Sequence, residues 1–178
     1  MTKTIFVRSF IAASALAAFA APAAQAATQT VPCSVTLVTP LSIGNAVSMN
    51  FGTLSAPTTA DQTFALASTD AAVTSGAGDG KVFADAARAA GSITVTGAKG
   101  KKINITGAIS NWDGTGVSNT ADTIDINGVI GAGTTARSLT IDATSGTVAC
   151  AVGTGITIAK GTAAGVHAAT LTLTVVYE

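Results

Sequence analysis

The sequence predicts an all-β sandwich. Three observations carry that expectation. Apolar residues recur at alternate positions in run after run, the period of a strand with one buried face. Clusters of Gly, Asn, Asp and Ser separate the runs. The runs are short and regularly spaced, as in a two-sheet sandwich.

Taken in order, Val31, Cys33, Val35 and Leu37 alternate with Pro32, Ser34 and Thr36, and Leu41 and Ile43 follow beyond Pro40. Val47, Met49 and Phe51 form the next set, ending at Gly52; Phe64 and Leu66 form a short one. Ser68 to Gly80, rich in Ala, Gly, Ser and Thr, reads as a long exposed loop. Val82 to Ala90 is too short for a stable helix and reads as a loop or turn. Ile93 and Val95 precede the tight Ala98-Lys99-Gly100 link to Ile103 and Ile105, and this predicts a hairpin. Asn111 to Ala121 reads as a second loop; Ile124 and Ile126 then lead to an Asn127-Gly128 turn. Leu139 and Ile141, Val148 and Cys150, and Ile156 and Ile158 supply further strands. In the closing run, Leu171, Leu173, Val175 and Tyr177 alternate with Thr172, Thr174 and Val176. Because that strand runs to the last residue, its outer edge is expected to be left for another segment to cover.

The front of the chain predicts export. Lys3 and Arg8 give a basic start, Phe10 to Ala21 is an apolar run broken by Ser14, and Ala24-Gln25-Ala26 is a small-x-small cleavage site. The run is too short and alanine-rich for a membrane anchor. Residues 1–26 are expected to be removed, leaving 27–178 as a single domain with no transmembrane segment. Loss of Lys3 and Arg8 leaves seven basic against nine acidic residues, a net charge of about −2. Nothing pairs a basic patch with aromatics, so nucleic-acid binding has no support.

Two cysteines survive processing, Cys33 and Cys150. An even count in an exported chain points to a disulfide. It would close a loop of about 118 residues and stabilise by roughly 5 kcal/mol at most. Two buried free thiols are the other reading.

Catalytic sets are wanting. His167 is the sole histidine and no Gly-x-Ser-x-Gly elbow accompanies it, so it reads as a solvent-facing strand residue. Asp113, Asp122 and Asp125 read as solvated loop carboxylates; neither they nor Asp79 follow calcium-loop spacing. Gly76 to Lys81 lacks the spacing and the Ser or Thr of a phosphate loop and reads as a flexible loop. Trp112, the sole tryptophan, either caps the end of the core or stacks on a sugar or partner. No enzyme activity, cofactor or metal is expected.

Four stretches carry a family resemblance. They are the Thr-rich opening Ser34 to Ile43 with its internal Pro40, the Phe51-Gly52 step, the alanine pairs and Val-Thr-Gly strand of Ala86 to Gly97, and the closing Gly165 to Tyr177. Together they make the chain similar to a bacterial family of exported pilin-like all-β domains of unknown function. It also resembles the spore-coat-U-like and chaperone–usher fimbrial subunits. The resemblance implies an immunoglobulin-like, pilin-like β-sandwich, either complete or lacking its final strand. It further implies passage through the periplasm to the cell surface or the medium.

Two functions compete at this point. One is a structural subunit of a fibre built by donor-strand complementation. Residues 27–37 would be the donor, placing Val31, Cys33, Val35 and Leu37 in the next subunit. Gly165, Leu171, Leu173, Val175 and Tyr177 would form the assembly strand. Its partners would be like subunits, a periplasmic chaperone and an outer-membrane usher. The other is a self-contained secreted adhesin or matrix-binding module. Export is tested first: N-terminal sequencing of released protein is expected to begin at Ala27, and an intact Met1 would contradict it.

Overall fold

A computed structural model describes residues 29, 31–84 and 86–178. The export signal expected over 1–26 lies outside the described residues. The chain divides into two units, Met1–Thr36 and Leu37–Glu178. All ten strands belong to the second: β1 Ser42–Val47, β2 Gln62–Leu66, β3 Val73–Ser75, β4 Gly91–Thr96, β5 Lys102–Ile109, β6 Val117–Ile126, β7 Val129–Ala132, β8 Arg137–Thr140, β9 Thr147–Ile158 and β10 Leu171–Tyr177. No helix occurs among the described residues. The fold is an all-β, immunoglobulin-like sandwich of antiparallel sheets, as the alternation predicts.

β9 is the spine of a seven-stranded sheet. Its first half, 147–152, pairs with β4, and its second half, 154–158, pairs with β2. β6 lies along its opposite side from Val152 to Ile158. β1, β3 and β7 extend the sheet outward from β4, β2 and β6. The asparagine side chain continues this sheet where β6 stops: Asn127 Oδ1 accepts the Ala151 amide at 2.7 Å and the Asn127 amide donates to the Ala151 carbonyl at 3.0 Å. Asn127 and Gly128 take φ of 50° and 82°, the left-handed pair that a two-residue hairpin turn between β6 and β7 requires. The second sheet has only three strands, in the order β10-β5-β8.

The expected hairpin between the Ile93 and Ile103 strands is not formed. β4 lies in one sheet and β5 in the other, so the Ala98-Lys99-Gly100 link carries the chain across the sandwich. Packing explains it. Ile93, Val95, Ile103 and Ile105 all belong to one core, with Ile124, Ile126, Ile141, Cys150 and Val152, and that core is the space between the sheets. A hairpin would set the four side chains on one layer with nothing opposite. A second cluster, Phe51, Phe64, Leu66, Ile156 and Ile158, lies under the other end of β9 and is covered by Met49, Leu54, Trp112 and Val117.

Other boundaries shift. Val31 to Leu37 forms no strand, and the Val47–Phe51 set is strand only to Val47. β3 lies within the expected 68–80 loop, and β6 begins inside the expected 111–121 loop. Val82 and Ala89 make single bridges to Leu54 and Asn50.

Tyr177 locks the closing strand to the start of the domain. Its hydroxyl donates to the Thr39 carbonyl and accepts the Ala98 amide, each at 2.6 Å. Gly97 lies beside it, where a Cβ would fall 2.6 Å from that oxygen. Tyr177→Phe removes both bonds and strands a part-buried amide. The expected loss is about 1–3 kcal/mol, read as a lower urea midpoint at unchanged slope.

Candidate strand-acceptor groove

β10 pairs with β5 through seven positions, from Leu171 opposite Ile109 to Tyr177 opposite Ile103. Among the described residues, no strand pairs with its other side. The ladder's phase follows from its two ends. The Ser110 amide donates to the Thr170 carbonyl at 2.9 Å, and the Glu178 amide to the Lys102 carbonyl at 3.1 Å. Even-numbered residues therefore turn their backbone groups to β5, and Leu171, Leu173, Val175 and Tyr177 turn theirs to the open edge. The side chains of the same four residues pack on the core while Thr172, Thr174 and Val176 are exposed, as the closing alternation predicts.

This edge is unlike the others. β3, β7 and β8 are three or four residues long, and β1 is bent by a bulge between Gly44 and Val47. Short or bulged edges resist pairing with other chains, as do edges carrying Lys or Pro. β10, LTLTVVY, is seven residues long and has neither charge nor proline.

Beside the open edge runs a groove between the sheets. Its first cavity, ≈ 310 Å³, has Leu171 and Leu173 on one wall, Val47 and Met49 on the other, and Ile93 and Val152 at its floor. The second, ≈ 540 Å³, continues from it through Met49, Phe51, Trp112 and Ala169, which line both, to Gly165, Val166 and His167. Trp112 is fixed as a wall. Its Nε1 donates to Asn119 Oδ1 at 2.8 Å, Asn119 Nδ2 donates to the Ile109 and Ser110 carbonyls, and its ring meets Phe51 edge-on at 6.4 Å. Trp112 is half-buried and packs on the second core cluster, the core-capping one of its two expected roles.

Two of the polar side chains on the second cavity, Asn50 and His167, are engaged within the chain. Asn50 Oδ1 accepts the Gly52 amide at 2.7 Å. His167 is not the solvent-facing strand residue expected. It precedes β10, is half-buried, and sets Nδ1 3.2 Å from the Asp113 carbonyl and Nε2 3.3 Å from the Ala163 carbonyl. Those carbonyls, with the Asp113 carboxylate behind them, raise its pKa above the ordinary imidazole value. Gly165 also lies outside the assembly strand expected of it, on an exposed stretch at the groove's rim.

The expected donor residues are exposed: Val31 at 79 %, Val35 at 82 % and Leu37 at 88 %. Among the described residues no strand forms there, and Pro32 and Pro40 lack amide donors. The expected disulfide between Cys33 and Cys150 is not shown. Cys33 is exposed and free, whereas Cys150 is a free thiol at 0 % exposure, opposite Ile93 in the core. Burial pushes the Cys150 thiol up to about 11. Sequence count cannot reveal that one of the two sulfurs faces inward between sheets.

The loop carboxylates serve as fasteners. Asp79 accepts from the Thr58 amide at 3.0 Å and hydroxyl at 2.5 Å, and these bonds hold its pKa far below the carboxylate range. Gln62, 1 % exposed, bonds the Gly76 and Gly80 carbonyls and the Gly80 amide, so the glycine run expected to be a flexible loop is closed onto a buried side chain. Asp125 is not the solvated loop carboxylate expected: it lies in β6, 5 % exposed, and its Oδ2 accepts the Ser68 amide at 2.8 Å. Among the described residues, no group of three His, Cys, Asp or Glu is gathered to hold a metal.

Compared with known proteins, residues 41–177 match the family described as Domain of unknown function (DUF4402). No curated protein and no solved structure matches the chain. The matched segment begins just after the exposed stretch. One consequence for the cysteines is measurable: a thiol reagent should modify Cys33 rapidly in the folded protein and Cys150 only after denaturation. Two fast thiols, or none, would contradict this arrangement.

Proposed function

The chain belongs to the DUF4402 family of domains of unknown function, and we propose that it is a structural subunit of a bacterial surface fibre joined by strand donation. The observation that carries this reading is the pairing of an unguarded β10 edge and apolar groove with an exposed, alternating segment at 31–37. An extended segment laid along β10 would satisfy the backbone groups of Leu171, Leu173, Val175 and Tyr177 and place alternate side chains over the groove floor. The donor is residues 27–37 of another copy, with Val31, Cys33, Val35 and Leu37 facing inward. The engaged polar groups of the second cavity favour an apolar side chain there over a sugar, which bears against the self-contained adhesin.

Export through the periplasm to the cell surface belongs to the same proposal. In transit an open edge of this length aggregates, so a periplasmic chaperone covers it until an usher hands the subunit to its neighbour. Burial of Val35 or Leu37 contributes about 1.5–3 kcal/mol each, and a buried carboxylate reverses that gain.

Native mass spectrometry checks the proposal. The chain 27–178 is expected to give a ladder of oligomers. Removal of 27–38, or Leu37→Asp, is expected to leave folded monomer. A ladder that survives the deletion would rule out donation from this segment.

A further inference from the structure

We propose that His167 is a proton-operated latch on the end wall of the groove: charged, it ties the 163–168 segment to the Asp113 loop and keeps the groove shaped for a strand; neutral, it releases one tie. This rests on the groove being a strand acceptor.

The inference starts from donors and acceptors. Both ring nitrogens face carbonyl oxygens, those of Asp113 and Ala163, at 3.2 and 3.3 Å. Carbonyls only accept, and a neutral imidazole carries one N–H. Both bonds can therefore exist only in the imidazolium. When the ring loses a proton, one carbonyl faces a lone pair, and the contact turns from attraction to repulsion.

The ring sits where such a change matters. Gly165, Val166, His167, Ala168 and Ala169 line the second cavity, and Trp112 stands in the same lining. The stretch is held to 110–113 by few bonds besides the histidine's. The Asp113 amide donates to the Ala168 carbonyl at 2.8 Å, the Ala168 amide donates to the Asp113 carboxylate, and the Thr170 amide donates to Ser110 Oγ at 2.9 Å. Val166 is 93 % exposed, and Gly165 has nothing within 4 Å of where a Cβ would lie. The latch therefore supplies one tie across to Asp113 and one within the thinly packed segment itself, to Ala163.

Asp113 carries the charge that acts on the ring; Ala163 and Gly114, its other neighbours, are uncharged. The sign follows from the raised folded-state pKa. The latch is fully formed below the unfolded value of 6.5 and is lost as pH rises through the higher folded value. Strand binding is accordingly tighter on the acid side, and by reciprocity a bound strand makes His167 harder to deprotonate.

One histidine and one tryptophan make the test clean. The probe is a peptide of residues 27–38 carrying Cys33→Ser, added to dilute 27–178 chain. Trp112 emission without peptide is expected to follow a one-proton transition above pH 6.5. Peptide affinity is expected to fall about fivefold or more across it. His167→Gln should flatten both profiles. Should that variant fail to fold, ¹⁵N shifts of the wild-type ring decide: two hydrogen-bonded N–H groups on the acid side support the latch, and one overturns it. A flat wild-type profile, or the same transition in His167→Gln, overturns the latch. Equal affinity on both sides of an intact transition overturns its control of the groove. An intact transition with no peptide bound at any pH leaves the latch standing and overturns strand donation itself.

Discussion

The two sheets of this sandwich differ in width, and much of the structure follows from how the difference is covered. Because β4 and β2 share one side of β9, the larger sheet is at most five strands across, against three in the smaller. Strands lie about 4.8 Å apart, so the smaller sheet is too narrow to roof the larger one. Under β2 and the end of β9, loop residues such as Met49, Leu54 and Trp112 take the place of missing strands. Among the described residues nothing takes that place beside β10, and the groove results. Leu171, Leu173, Val175 and Tyr177 pack on the core yet stay only half-buried, because one flank of their strand is open.

Loops that roof a core need fasteners, and the few polar side chains of this chain are used for that purpose. Gln62 gathers the 76–80 loop, Asp79 the 58–59 turn, Asp125 the Ser68 amide, and Asn127 the edge of β9. Each is a side chain standing in for a missing strand's backbone. Asp125 Oδ1 is left buried with no partner among the described residues. A buried polar oxygen without a partner is costly.

The closing strand could be read from sequence because alternation reports which faces are apolar, and in Leu171–Tyr177 one face packs on the core. Alternation does not report partners. The Ile93 and Ile103 runs were each legible as strands, but their assignment to opposite sheets depends on β9 and β10, more than fifty residues on. Val31 to Leu37 has the alternation of a strand but forms none among the described residues, because alternation does not supply a partner. The groove's end wall was illegible for another reason. His167 meets backbone carbonyls, one of them 54 residues away, and no side-chain motif announces such a contact. Trp112 and Asn119 were close in sequence, but their bond depends on β6 beginning earlier than its polar start suggests.

The central claim is that the open edge of β10 is a binding surface, and residue-resolved hydrogen exchange tests it most directly. Compared between dilute protein and assembled material, the amides of Leu171, Leu173, Val175 and Tyr177 are predicted to exchange freely in the first and slowly in the second. Those of Thr172, Thr174 and Val176, bonded to β5, are predicted to be protected in both. If the four odd-numbered amides exchange equally fast in assembled material, no strand covers β10 and the account fails.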